Sequence, residues 1–173
     1  MKRTGRPEFK REPLTQDEAT SIANACQSTK EKLVVWTLLD TGLRVDEFAR
    51  LTKQNIDWQT HRITLRGKGD KRRVLPMTDR VRPLIEGHIG IDDVMGIPKR
   101  TAQDIVKRVA NRAKIARPCS PHVLRHTFAV TALQKGLSLP ALQKLLGHED
   151  LKTTAIYLNM SSFEALREFE EKW

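Results

Sequence analysis

The stretch LVVWTLLD, residues 33–40, is apolar almost all the way round a helix, and such a helix has no face to give to water. It must run through the middle of a fold, with other elements laid against every side. Thr41-Gly42 breaks it, and a second short helix is expected at once, over about residues 44–52. Upstream, Thr15 followed by Glu18 makes a capping-box pattern that opens a first helix over about residues 15–28. In DTGLRVDEFARL, residues 40–51, Arg44 directly follows the buried helix, so it projects from the core toward a cleft, and Glu47 three residues on braces it. An arginine at a cleft floor is costly unless something anionic meets it.

Between residues 55 and 77 the pattern changes to short β-branched runs, IDW, RITLRG and RRVLPM, with the tightest turn at Gly67-Lys68-Gly69-Asp70. That predicts a small antiparallel sheet. Helical patterns follow near 79–88, 100–115, 121–135, 139–147 and 150–158. The tail SSFEALREFEEKW carries Phe163, Leu166, Phe169 and Trp173 at three- and four-residue steps on an otherwise acidic helix. The expected class is mainly α with one small antiparallel β-sheet (α+β). The expected organisation is a basic linker or arm over 1–12, one domain over 13–160 and an amphipathic helix over 161–173.

At 173 residues, one domain is the natural count. No apolar run approaches the roughly 20 residues that span a bilayer, and the basic start lacks the apolar centre of a signal peptide. Two cysteines, Cys26 and Cys119, cannot make a disulfide framework. A cytoplasmic, unanchored protein is expected. Its net charge of +10 favours a polyanionic partner, with nucleic acid leading. The charge is clustered at Arg62, Arg66, Lys68, Lys71, Arg72 and Arg73, and again from Lys99 to Arg117. From these runs Arg66, Lys71, Arg72, Arg73, Arg108 and Arg112 are the candidate DNA contacts, although runs of this kind serve equally well as a solvated face.

Three more segments carry chemistry. In SPHVLRHTF, Ser120 and Pro121 suit the N-cap and first position of a helix, which puts His122 in the first turn with Arg125 on its face. Free N–H groups, an imidazole and an arginine fork there would make a phosphate pocket, and His126 would support it from behind. The same segment has a rival reading, because Cys119, His122 and His126 have a C-x2-H-x3-H spacing suggestive of zinc. Against it, a structural site wants a fourth ligand, and the metalloprotease pattern wants Glu where Val123 stands. RGKGDKRR puts Lys68 between two glycines on a hairpin tip, without P-loop spacing, so ATP is not implied. KLLGHEDLKTTAIYL ends a helix at Gly147, sets His148 in a turn and holds Tyr157, the single tyrosine of the chain.

Taken in order over about residues 13–160, TGLRVDE, RGKGDKRRVLPM, HVLRH and LGHEDLKTTAIYL resemble the boxes of the tyrosine recombinase, or phage integrase, family, and most the Xer branch. The resemblance implies that fold, no metal or other cofactor, and double-stranded DNA as substrate. It implies that Tyr157 is the nucleophile, with His122 assisting its deprotonation and Lys68 protonating the leaving 5′-oxygen. Arg44 and Arg125 would grip the non-bridging oxygens, and His148 would donate to the same phosphate. It further implies a homo-oligomer, a tetramer on DNA, and two roles are open for the apolar stripe of the C-terminal helix: packing on its own domain, or docking onto a neighbouring protomer and so linking the tetramer. The family usually carries an N-terminal DNA-binding domain, for which residues 1–12 are too short, so the expectation is either a fragment or a clamp lacking one half. Three other classes remain open: a type IB topoisomerase-like enzyme that relaxes DNA, a DNA-binding regulator without chemistry, and a zinc-stabilised module.

Overall fold

In the computed structural model, which describes residues 12–67 and 72–147, the chain begins with helices α1 (Gln16–Asn24), α2 (Thr29–Thr41) and α3 (Val45–Ala49). A three-stranded antiparallel sheet follows in the order β1 (Ile56–Asp57), β2 (Arg62–Arg66) and β3 (Arg72–Pro76). Helices α4 (Arg82–Asp92), α5 (Lys99–Arg112), α6 (Pro121–Gln134) and α7 (Leu139–Leu146) complete it. This is the mainly helical α+β class expected from the sequence. The helices expected over 150–158 and 161–173 lie outside the described residues.

α2 is the axis, as its all-round apolar pattern requires. Leu33, Val34, Val35, Leu38 and Leu39 are all buried, with α1, α4, α5 and α6 packed around them. Its two ends are set by local chemistry. At the start, the Ser28 side chain caps the helix by accepting from Glu31 N–H. At the finish, Gly42 takes a left-handed φ of 63°. A side chain on Gly42 would also run into the Phe128 ring, so residue size and backbone conformation both demand glycine here.

Glu31 locks α2 to α5. Its buried carboxylate accepts Gln27 N–H at 2.8 Å, Arg112 at 2.8 and 3.2 Å, and Arg108 at 3.2 Å. The Arg112 hydrogen bond outweighs the opposing effect of burial, and with the Gln27 and Arg108 bonds it holds the carboxyl at about 2.

The sheet obeys a period of two. Ile63 pairs with Leu75, both fully buried, while the next rung, Thr64 with Val74, faces outward. The expected 79–88 helix is displaced to Arg82–Asp92 because the preceding residues serve a different contact. Thr78 donates to Asp40 at 2.7 Å, and Arg80 forks onto the same carboxylate at 2.6 and 2.7 Å while its guanidinium lies over Trp36. Pro83 then suits the first turn, and the helix continues far enough to bury Ile85 and Ile89 before stopping at Asp93. α3 begins one residue later than expected because Arg44 has extended backbone and caps it rather than joining it, and it ends at Ala49, short of the expected residue 52.

α6 and α7 share a second apolar cluster of Ala129, Leu142 and Leu146, backed by Phe128 and Leu133. Entry of the chain is pinned to α6, where Thr127 Oγ1 accepts Leu14 N–H at 2.9 Å. Among the described residues no helix is long and apolar enough to cross a membrane.

Two expectations follow. Gly42→Ala should cost about 2 kcal/mol from the left-handed backbone alone and lower the melting temperature by about 4–8 °C, whereas an unchanged melt would contradict the packing described. Because the folded Glu31 carboxyl sits below its unfolded value of about 4.5, its contribution is complete above that pH and is lost as pH falls toward about 2. Urea melts across that window should show the loss, and Glu31→Gln should flatten it while removing about 2 kcal/mol at neutral pH.

Candidate active site

The start of α6 is built as its sequence suggests. Ser120 is extended and caps Val123 N–H, Pro121 fills the first turn, and His122 is exposed. Three residues further on, Arg125 is only 4% exposed. A guanidinium at that depth must be met by acceptors, and it finds the spare carbonyls of two helix ends. Nη1 donates to Gly42 O, at the end of α2, and Nη2 donates to Leu146 O at 2.8 Å, at the end of α7. C-terminal carbonyls lack partners within their own helix and carry negative partial charge, so a cation suits both. His122 and Arg125 thus leave the same helix turn at different depths, one at the surface and one beneath it.

Two residues past Gly42 is Arg44. Its backbone N–H donates to Glu47 Oε2 at 2.7 Å and its Nη1 to Glu47 Oε1 at 3.1 Å, while the side chain stays 46% exposed. The other face of the Glu47 carboxylate receives Arg73 Nη2 at 2.6 Å. Arg73 Nη1 in turn donates to Leu146 O at 2.7 Å, the oxygen that Arg125 also holds. The contacts close into a ring that runs from Arg44 to Glu47, Arg73, Leu146 O, Arg125 and Gly42 O, returning along the chain to Arg44. Burial pushes the Glu47 carboxyl up, but the Arg73 hydrogen bond, the Arg44 N–H and both positive charges outweigh it and hold the group below the usual carboxylate range. Glu47 is therefore ionised at neutral pH, with one arginine on each side.

The structure thus brings Arg44, Glu47 and Arg125 into one network, with His122 on the helix that carries Arg125. Lys68, Lys71, His148 and Tyr157 lie outside the described residues. His126, one turn beyond His122, is half-buried.

The expected DNA contacts divide. Arg66 and Arg72 face each other across the outermost rung of the β2–β3 hairpin and are exposed. Arg108 is exposed beside Glu31, whereas Arg112 is committed to Glu31 and to Ala25 O. Arg73 is an internal residue, its side chain 9% exposed and turned away from solvent. The signal for this was in the strand alternation, since Arg73 sits two residues before the buried Leu75 and shares its face.

Cys119, His122 and His126 do not form a zinc cluster. Among the described residues no three His, Cys, Asp or Glu side chains gather as a metal requires. Burial pushes the Cys26 thiol up to about 11 and that of Cys119 to about 12, which disfavours the thiolate at both.

Residues 12–163 match the phage integrase family. The tyrosine recombinase XerA of Saccharolobus solfataricus is 36% identical over 152 residues, which cover 85% of this chain and 52% of that protein. The chain therefore spans about half the length of that curated relative. The crystal structure of a XerA recombinase superposes with a TM-score of 0.80 at 30% identity, covering 92% of this chain and 64% of the other. A structure of the XerH site-specific recombinase bound to palindromic difH substrate gives 0.76 at 23% identity, covering 94% and 53%, and there the likeness is one of fold. A ring that joins the two expected arginines, inside a fold of this topology and under a match that takes in most of the sequence, leads to one conclusion: the chain belongs to the phage integrase family, the tyrosine recombinases.

Proposed function

We propose that this chain is the catalytic domain of a site-specific DNA recombinase that cuts and rejoins strands through a 3′-phosphotyrosyl link. The observation that carries the reading is the ring, which fixes Arg125 and the backbone of Arg44 to each other through Gly42 O. Two guanidiniums carried by one hydrogen-bond network suit the non-bridging oxygens of a single phosphate, where negative charge grows as phosphorus becomes pentacoordinate. Preset donors of this kind lower the barrier without having to reorganise during the reaction.

In the proposed step the Tyr157 oxygen attacks phosphorus as the bond to the 5′-oxygen breaks. A phenol has a pKa of about 10, so its proton must leave during attack, and exposed His122 is the acceptor assigned to it. Lys68 returns a proton to the departing 5′-oxygen, and His148 donates to the same phosphate. Because the phosphoester is conserved in the enzyme link, a 5′-hydroxyl from another strand can reverse the step and join DNA to a new partner. No nucleotide is consumed, and the guanidiniums supply the charge that a metal pair supplies in other phosphoryl-transfer sites.

Duplex DNA as substrate is supported by the exposed Arg66, Arg72 and Arg108, by the net charge of +10, and by XerH having been captured on difH. Recombination engages two duplexes, so the working form is a homo-tetramer on DNA, linked through the segment 161–173.

The test is a nicked suicide duplex. The wild-type chain should form a covalent protein–DNA band, and Tyr157→Phe should form none. Arg125→Lys should lower the cleavage rate by about two orders of magnitude. A covalent band from Tyr157→Phe would refute the nucleophile, and relaxation of plasmids without sequence preference would replace recombination by a topoisomerase activity.

A further inference from the structure

Arg73 has no part in the chemistry proposed above, yet it spans the ring. We propose that Arg73 is a positioning residue that sets the lysine hairpin against the arginine pocket, so that Lys68 meets the leaving oxygen. The inference deepens the reading of Lys68 as general acid and rests on it.

Strand register is the first support. Arg73 pairs with Leu65, one rung from the Arg66–Arg72 pair, the rung of the β2–β3 ribbon nearest in sequence to Lys68. The end of a two-stranded ribbon twists easily, so a lysine carried on it needs an anchor close by to be placed within a fraction of an ångström. Arg73 supplies one. Its two terminal nitrogens leave the ribbon in a fork, one reaching the Glu47 carboxylate on α3 and the other the Leu146 carbonyl at the end of α7.

Gly147 is an independent support. It ends α7 with a φ of 65°, and a Cβ there would lie 2.7 Å from Arg73 Nη1 and 2.9 Å from Arg73 Cδ. The end of α7 thus leaves room for this side chain, and a Cβ at Gly147 would force Arg73 to shift. Burying a guanidinium is costly unless its charge is met; both terminal nitrogens of Arg73 find acceptors, on different helices, as a planar fork allows, while its buried Nε has no partner among the described residues. Lysine at this position could hold one of those acceptors. Since the side chain faces inward, its loss should leave DNA affinity nearly untouched.

The test measures single-turnover cleavage of suicide duplexes carrying either the ordinary 5′-oxygen or a 5′-sulfur leaving group. A thiolate departs without a proton, so sulfur restores whatever was lost in general-acid catalysis. Arg73→Gln should cleave the oxygen substrate at least about tenfold more slowly and approach wild type on sulfur, with half-saturation by DNA within about twofold of wild type. Arg73→Lys should fall between, and it makes the same comparison if Arg73→Gln melts below the assay temperature. Equal slowing on both substrates, or a rate loss that tracks weaker DNA binding, overturns the proposal. Lys68→Ala separates the two levels. If sulfur rescues Lys68→Ala but not Arg73→Gln, the positioning role alone fails; if sulfur does not rescue Lys68→Ala, the general-acid reading fails and takes this proposal with it.

Discussion

The interaction on which the rest of the structure depends is the Arg125 guanidinium lodged between the ends of α2 and α7. Each end leaves carbonyls that its own helix cannot satisfy, and each closes on a left-handed glycine, Gly42 or Gly147. A buried cation with two fixed acceptors on different helices fixes the relation between those helices. In the sequence Arg44 follows Gly42 by two residues, and His148 directly follows Gly147. The charged group assigned to the phosphate is thereby also the structural link that determines where its partners begin.

Glu47 and Arg73 make this link a ring rather than a strut. Removing Arg125 would take the shared donor from Gly42 O and Leu146 O, whereas Glu47 and Leu146 O each keep a second donor when Arg73 is lost, so Arg44 and Arg125 are the members expected to behave as a unit. The arrangement also answers an electrostatic difficulty. Three arginines converge on a small volume, and Glu47, kept ionised by them, lies between two of them. Arg44 stays exposed beside Glu47, while the guanidiniums of Arg73 and Arg125 beneath it are met by Glu47 and by the helix-end carbonyls.

Much of this was legible in the sequence. The all-round apolar LVVWTLLD predicted a central helix, the β-branched runs with their glycine turn predicted the sheet, and Ser120-Pro121 predicted the start of α6. The bracing of Arg44 by Glu47 followed from three-residue spacing on a helix start. What local pattern could not reveal was tertiary. Thr78 and Arg80 delay α4 because Asp40, on α2, claims them. Arg73 and Arg112 look like members of basic runs until the fold supplies Glu47 and Glu31, 26 and 81 positions away. Period-two alternation already set Arg73 on the face of Leu75, but charge weighed more heavily than register in placing it outside.

The claim at the centre is that Arg44 and Arg125 act on one phosphorus atom as a unit. A double-mutant cycle on the single-turnover cleavage rate, using Arg44→Lys, Arg125→Lys and the pair, tests it directly. If the two guanidiniums share a phosphate within one ring, the double variant should be only slightly slower than the worse single variant. Losses that multiply, as for two independent sites, would contradict the account.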